Sequence, residues 1–124
     1  MKILLVEDQA SFYEPFIEEL STVAEVIHFK GSNAARRWLY DNVPDVVLCD
    51  HQILRFEGEN RRATGDEVYH ELRFGVSETI PFLHFSSEPC PDEYSGSDKD
   101  KFFHFKKKGT ISPLEWMKKL NLVK

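Results

Sequence analysis

The stretch VVLCDHQ, residues 46–52, runs from apolar residues directly into an aspartate. Its apolar part predicts a buried β-strand, and Asp50 follows at the carboxyl end of that strand. The stretch ILLVED, residues 3–8, has the same form and ends in Glu7 and Asp8. A carboxylate at the edge of a core is costly to bury without a partner, so the two strand ends call for a common explanation.

The composition is that of an ordinary globular protein. The 124 residues are 41% hydrophobic and 30% charged, and this length suits one domain over residues 1–124. The net charge of −5 argues against broad nucleic-acid binding, and no apolar run approaches the length of a membrane span. The N-terminus lacks a signal-peptide pattern, and Cys49 and Cys90 form no disulfide framework, so we expect a cytoplasmic protein.

Strand and helix patterns alternate along the chain. The predicted strands cover residues 3–6, 24–29, 46–49, 80–85 and 102–105. The predicted helices begin with a capping box at Ser11, after an N-cap at Ser32, near Gly65 and at Pro113. This alternation predicts an α/β fold, a doubly wound parallel sheet of five strands with helices on both faces.

One segment interrupts the alternation. Residues 88–100, EPCPDEYSGSDKD, contain two prolines, a glycine and five acids. Proline and glycine are the residues least compatible with a helix interior. We therefore expect the fourth helix of the fold to be short or missing.

The acids after the first and third strands are expected to converge. In parallel α/β sheets, ligands bind beyond the carboxyl ends of the strands. If these two strands are neighbours, Glu7, Asp8 and Asp50 share one crevice, where their charges repel unless a cation is present. Mg²⁺ prefers oxygen ligands and often works beside phosphate, so the pattern indicates a Mg²⁺-assisted phosphoryl site. The alternative for each acid alone is a helix cap or a solvent-facing side chain.

Two further strand ends carry groups suited to a phosphoryl oxygen. The fourth strand ends in Ser86 and Ser87, whose hydroxyls are possible donors, although serine also caps helices. The fifth strand ends in a run of three lysines, 106–108, of which at least one is a candidate partner and the others a solvated turn.

An acid pair after the first strand, an aspartate after the third, serine after the fourth and lysine after the fifth together resemble a response-regulator receiver domain of two-component signalling. The resemblance covers essentially the whole chain. It implies a flavodoxin-like sheet of order 2-1-3-4-5 in a stand-alone, single-domain receiver. It also implies that Asp50 accepts a phosphoryl group from a sensor histidine kinase, a phosphotransfer protein or a small acyl phosphate.

The resemblance assigns roles to the remaining residues. Asp8 and Asp50 would ligate Mg²⁺ together with the main-chain carbonyl of Gln52, and Glu7 would act directly or through water. Ser86, with Ser87 beside it, would hydrogen-bond the phosphoryl group.

The lysine of the site is ambiguous within the run. The family has an aromatic residue three positions before its lysine and a buried aliphatic residue two positions before it. Choosing Lys107 puts His104 at the aromatic position and Phe105 at the buried position. Choosing Lys106 would put His104 at the buried position, and choosing Lys108 would put Lys106 there. We therefore predict Lys107, with His104 where the family has a switching Tyr or Phe. The other histidines, His28, His51, His70 and His84, are interpreted as structural or surface residues.

The loop after the acceptor is longer than the family's usual loop. It covers residues 53–64 if Gly65 opens the third helix, and Gly58 is an alternative alignment. The loop carries Arg55, Arg61 and Arg62. It is interpreted either as a solvated surface insertion or as a source of an arginine that covers the phosphoryl group or docks a partner.

Three functions compete. The first is a phosphorylation-controlled switch that signals to a downstream protein and is no enzyme beyond its own aspartyl phosphorylation and dephosphorylation. The second is a pseudo-receiver, a constitutive binding adaptor. The third, a phosphatase of the haloacid-dehalogenase type or a flavodoxin, fits poorly, because Gln52 stands where the phosphatase needs an acid and the loop EDQAS is acidic.

Overall fold

The structure is a computed structural model that describes residues 1–58, 62–86 and 99–123. Its strands are β1 (Lys2–Val6), β2 (Glu25–Phe29), β3 (Val46–Cys49), β4 (Gln52–Leu54), β5 (Arg62–Thr64), β6 (Phe82–Ser86) and β7 (Phe103–Lys107). Its helices are α1 (Ala10–Leu20), α2 (Ser32–Asp41), α3 (Gly65–Gly75) and α4 (Pro113–Lys119). The segment 88–98, which holds most of the predicted short or missing fourth helix, lies outside the described residues.

Five of the strands form one parallel sheet in the order β2-β1-β3-β6-β7. Strand β1 pairs with β2 on one side and with β3 on the other, in registers that set Val6 opposite both Phe29 and Cys49. Strand β6 pairs with β3 and β7. The predicted doubly wound sheet of order 2-1-3-4-5 is confirmed, with β6 and β7 as its fourth and fifth strands.

The sheet separates two apolar layers because successive side chains of a strand point to opposite faces. Leu4 and Val6 of β1 pack into a cluster with α2 and α3, whereas Ile3 and Leu5 pack into a cluster with α1 and α4. The central strands are buried on both faces, which explains their continuous apolar sequences. No helix of the described residues is long and apolar enough to cross a membrane.

Two of the predicted helix caps are wrong. Helix α1 begins at Ala10, with Gln9 as an N-cap that makes no side-chain capping bond, so Ser11 lies inside the helix. Ser32 is likewise the first residue of α2, and its hydroxyl donates instead to Glu67 Oε2 at 2.8 Å. For Ser32, a tertiary contact replaces the local capping bond that the spacing predicted.

The loop after β3 forms a small antiparallel hairpin, β4–β5, in place of the predicted solvated insertion. Ile53 is fully buried in the cluster beneath α2 and α3. Leu54 forms a bridge with Gly31, and a Cβ at Gly31 would lie only 3.1 Å from the Arg55 carbonyl oxygen. The hairpin is therefore part of the core on this face of the sheet. Helix α3 begins at Gly65, as predicted, and Gly58, with φ of 86°, lies in the loop between the two strands.

Candidate functional site

Three carboxylates meet at the carboxyl edge of the sheet. Glu7 and Asp8 follow β1 and Asp50 follows β3, and these neighbouring strands end level with each other. One oxygen from each residue lies within 4.8 Å of the others. Glu7 and Asp50 are buried and Asp8 is half-buried, so the cluster forms a crevice whose open side is at Asp8.

Asp50 is held by contacts on both carboxylate oxygens. Its Oδ1 accepts a hydrogen bond from the His51 amide at 2.7 Å, and its Oδ2 lies 3.1 Å from Lys108 Nζ. The Asp50 amide donates to the Val6 carbonyl at 3.0 Å, which ties the residue to β1. Asp50 as a whole residue is 8% exposed. Its carboxylate is therefore fixed by its contacts, and a small part of the residue reaches the surface.

Glu7 is a buried acid whose pKa is raised. Burial raises the pKa of Glu7 to about 7, and the Asp50 charge adds to the rise, while Lys108 opposes it. Its Oε2 accepts from Lys108 at 2.6 Å and its Oε1 from the Gln9 amide at 3.2 Å. His28 Nε2 contacts the Glu7 carbonyl oxygen at 2.8 Å, so β2 also positions this segment.

The lysine that contacts the acids is Lys108, and not the predicted Lys107. The Lys108 side chain is 4% exposed and bridges Glu7 and Asp50, with its Nζ 4.0 Å from the ring centroid of Phe12. Lys107 is exposed at the end of β7. Strand β7 runs two residues beyond its predicted end. Because successive side chains of a strand point to opposite faces, Lys107 points away from the crevice.

A signal in the sequence favoured Lys108. Counting three residues back from Lys108 reaches Phe105, the aromatic type that the family has at that position. The apparent misfit, Lys106 two residues back, is exposed here, so a charged residue is tolerated. His104 is half-buried on β7 opposite Leu83, and burial lowers its pKa. Phe105 lies three residues before Lys108, and its ring lies 5.3 Å from that of His84.

Ser86 lies at the end of β6, next to the end of β7. The residue is 2% exposed, and its carbonyl accepts the Lys108 amide at 3.0 Å. The backbone thus brings Ser86 beside the lysine that contacts Asp50. Ser87 lies outside the described residues.

The hairpin turns the Gln52 carbonyl away from β5. The Gly65 amide donates to the His51 carbonyl at 2.6 Å, so these two residues form a hydrogen-bonded pair. The next pair along the hairpin is Gln52 opposite Thr64. Antiparallel pairs alternate between bonded and non-bonded, so Gln52 occupies a non-bonded position whose carbonyl points out of the hairpin. That orientation leaves the carbonyl outside the hairpin ladder, as its predicted use as a metal ligand requires.

The loop arginines are not gathered over the acids in the described residues. Arg55 Nη2 donates to Glu67 Oε1 at 3.2 Å, and the Arg55 carbonyl accepts the Asn33 amide at 3.0 Å. Arg55 therefore joins the hairpin to α2 and α3. Arg62 belongs to β5, with only its backbone described, and Arg61 lies outside the described residues.

Two buried histidines beside the site are features that the sequence did not distinguish from surface histidines. His51 is 7% exposed and His84 fully buried, with ring centroids 5.5 Å apart in an edge-on arrangement. Burial lowers the pKa of His84 to about 3, helped by His51 and Lys108. Beneath Asp50, burial raises the pKa of the Cys49 thiol, which donates to the Asp50 carbonyl. These groups are buried neighbours of Asp50.

The donor set of the crevice suits a hard divalent cation. The three acids supply only oxygen ligands, and the half-exposed Asp8 gives an approach from solvent. A cation would offset the repulsion between the buried carboxylates of Glu7 and Asp50. Mg²⁺ would fit among Glu7, Asp8 and Asp50, and its chemistry there would be neutralisation of phosphoryl oxygens.

Comparison with known proteins supports the same fold. No protein-family model and no curated protein sequence matches the chain. Among solved structures, Vibrio cholerae chemotaxis protein CheY4 is 20% identical, with 99% of this chain and 98% of that chain covered and a TM-score of 0.74.

Two further receiver domains give similar values. The CheY-like response-regulator receiver domain from Methylobacillus flagellatus is 19% identical, covering 98% of this chain and 97% of that chain, with a TM-score of 0.71. The receiver domain of sensor histidine kinase PA1611 from Pseudomonas aeruginosa PAO1 is 17% identical, covering 98% and 94%, with a TM-score of 0.69. That structure has a magnesium ion coordinated in its active-site cleft. The predicted receiver-domain fold is thus confirmed over nearly the whole chain.

Proposed function

We propose that this protein is a phosphorylation-controlled signalling switch whose phosphoacceptor is Asp50. The observation that carries the proposal is the position of the Asp50 carboxylate, which lies among two other acids and 3.1 Å from Lys108 Nζ. A nucleophilic carboxylate needs a neighbouring cation to approach an anionic phosphoryl group, and this crevice offers both a lysine and a set of metal-binding oxygens.

The reaction is a displacement at phosphorus. An oxygen of the Asp50 carboxylate forms a bond to phosphorus, and the bond from phosphorus to the donor breaks. The donor leaves as a carboxylate from an acyl phosphate, or, from a phosphohistidine, as neutral imidazole after the ring takes up a proton from solvent. Lys108, which contacts Asp50, would pair with one phosphoryl oxygen, and the hydroxyl of Ser86, whose carbonyl accepts the Lys108 amide, would donate a hydrogen bond to another.

The same residues define the cofactor and partners of the proposal. Mg²⁺ would be held by Asp8, Asp50 and the Gln52 carbonyl, with Glu7 contributing directly or through water. The phosphoryl donors are a sensor histidine kinase, a phosphotransfer protein or a small acyl phosphate. Output is an interaction with a downstream protein in the cytoplasm. Catalysis is limited to the protein's own aspartyl phosphorylation and dephosphorylation.

Intact-mass spectrometry tests the proposal. The protein is incubated with acetyl phosphate, with and without Mg²⁺, and compared with Asp50→Asn. Asp41→Asn, which changes an exposed acid of α2, is the matched control. We expect wild type and the control to gain one acid-labile phosphoryl group only with Mg²⁺, and Asp50→Asn to gain none.

A parallel NMR experiment separates the working receiver from the pseudo-receiver. Beryllofluoride with Mg²⁺ mimics a bound phosphoryl group and should shift the amide resonances of His51, Ser86 and Lys108. A chain that shows neither the mass gain nor these shifts would contradict the proposal and favour the pseudo-receiver, a constitutive binding adaptor.

A further inference from the structure

The ring of Phe12 lies over the ammonium group of Lys108. The distance from the ring centroid to Lys108 Nζ is 4.0 Å, within the roughly 6 Å at which an aromatic face attracts a cation. Phe12 belongs to the first turn of α1, whereas Lys108 directly follows β7. The contact therefore ties the start of α1 to the lysine beside Asp50.

The lysine nitrogen is enclosed by groups of the site. It lies 2.6 Å from Glu7 Oε2 and 3.1 Å from Asp50 Oδ2, and the Lys108 side chain is 4% exposed. The half-buried Phe12 adds an aromatic face to these two carboxylates. Because so little of the lysine reaches water, the attraction between its charge and the ring is stronger than on an exposed surface.

The ring and the ammonium are each positioned by main-chain contacts of the site. The Phe12 amide donates to the Gln9 carbonyl at 2.9 Å, and the Gln9 amide donates to Glu7 Oε1 at 3.2 Å. On the other side, the Lys108 amide donates to the Ser86 carbonyl at 3.0 Å. The segment that carries the acids thus also sets the place of the ring.

We propose that Phe12 is a positioning residue that holds Lys108 in place for phosphoryl transfer to Asp50. A ring face attracts an ammonium group but carries no net charge, so it restrains Nζ without neutralising it as a further carboxylate would. The lysine would keep its charge for a phosphoryl oxygen that arrives beside Asp50. This role rests on the proposed function, since it concerns the reaction of the same site.

The competing role for Phe12 is an apolar cover over the aliphatic stem of the lysine. A cover depends on the volume of the side chain, whereas attraction to a cation depends on the electron density of the ring face. Phe12→Leu keeps an apolar side chain and removes the face, and Phe12→Tyr keeps the face. Incorporating 3,4,5-trifluorophenylalanine at position 12 keeps the shape of the ring and withdraws its electron density.

NMR of the lysine ammonium groups tests the contact without phosphorylation. The low exposure of Lys108 slows proton exchange with water, and loss of its signal in Lys108→Arg assigns it. The ring current of Phe12 shifts this signal upfield, so Phe12→Leu should move it downfield and Phe12→Tyr should not. Phe16→Leu is the matched control, because it removes a ring one turn further along α1 that packs on Phe85.

The rate of phosphorylation is the second measurement. With acetyl phosphate and Mg²⁺, we expect Phe12→Leu and the trifluorophenylalanine protein to react about 3- to 10-fold more slowly than wild type, the factor that one cation–ring contact supplies. Phe12→Tyr and Phe16→Leu should keep the wild-type rate. Circular dichroism establishes that each protein is folded.

The outcomes separate this inference from the proposed function. A wild-type chain that gains no phosphoryl group would overturn the proposed function, and the role of Phe12 with it. A wild-type chain that reacts, with a trifluorophenylalanine protein that reacts equally fast, would overturn the role of Phe12 alone and leave it an apolar cover. An ammonium signal that Phe12→Leu leaves in place would also overturn it.

Discussion

Lys108 Nζ lies 3.1 Å from Asp50 Oδ2, although the two residues follow β7 and β3, strands that are not neighbours in the sheet. The same nitrogen lies 2.6 Å from Glu7 Oε2. One lysine thus offsets two buried carboxylates before any other cation binds. In the proposed reaction it would contact a phosphoryl oxygen from the same position.

Replacing Lys108 should slow phosphorylation of Asp50. Lys108→Ala removes a fixed charge from the position where negative charge gathers, and we expect the rate with acetyl phosphate to fall by about 10- to 100-fold. Lys107→Ala, which changes an exposed neighbour, is the control and should keep the wild-type rate. Equal losses in the two variants would show that Lys108 has no special role. The measurement is a time course by intact mass.

Mg²⁺ should stabilise the folded protein. Because a cation bound at the three acids binds the folded state only, a Mg²⁺ concentration about ten times the dissociation constant should add about 1.4 kcal/mol to the free energy of unfolding. Asp8→Asn should lose most of this gain, and Asp41→Asn should keep it. Thermal unfolding with Mg²⁺ or with EDTA provides the comparison, and an unchanged gain in Asp8→Asn would remove Asp8 from the ligand set.

The carboxylate of Glu67 should stabilise the hairpin against the helices. Its oxygens accept from Ser32 Oγ at 2.8 Å and from Arg55 Nη2 at 3.2 Å. Glu67→Ala leaves two donors without this acceptor and should lower the free energy of unfolding by about 1–2 kcal/mol. Glu57→Ala, whose contact with Lys30 is 3.6 Å long and exposed, should cost less than about 0.5 kcal/mol in urea titrations.

Ile53 should behave as a core residue. It is fully buried in the cluster beneath α2 and α3, so Ile53→Ala should cost about 2–4 kcal/mol of unfolding free energy. The comparison is Val43→Ala, a truncation at a 66% exposed position, where the change should stay within about 0.5 kcal/mol. Similar losses of unfolding free energy in the two variants would show that the loop is a solvated insertion and that Ile53 does not act as a core residue.

His84 should make stability fall in acid. Its pKa is about 3 in the folded protein, below its ordinary value of 6.5, so protonation favours the unfolded state. The contribution of the neutral ring to the free energy of unfolding is fully present above pH 6.5. As the pH falls toward 3, that free energy decreases by about 1.4 kcal/mol per pH unit. His84→Phe does not titrate there. Urea unfolding of both proteins between pH 4 and 7 should give a shallower slope for the variant, and parallel slopes would contradict the expectation.

Much of the fold followed from local patterns. The continuous apolar runs at 3–6 and 46–49 predicted the two central strands, because a strand covered on both faces has no polar side to display. The parallel sheet followed from alternation with helices. Helix starts were predicted less well, since Ser32 has a tertiary acceptor in Glu67 that its spacing from neighbours does not reveal.

The hairpin and the choice of lysine depended on longer-range contacts. Strands β4 and β5 have three residues each, too few for periodicity to distinguish them from a loop. The burial of Ile53 depends on α2 and α3 packing above it. Similarly, the predicted lysine was one residue out of step with the structure, because one residue more of strand exchanges the two faces.

The sequence by itself determined the layered α/β architecture and placed an acid at the end of each of two central strands. Both properties follow from short-range patterns of apolar and charged residues. Only the tertiary structure decided that Lys108 contacts Asp50 and that the inserted loop packs into the core. Those relationships join residues far apart in the chain, and they exist only once the sheet sets the distance between its strands and helices.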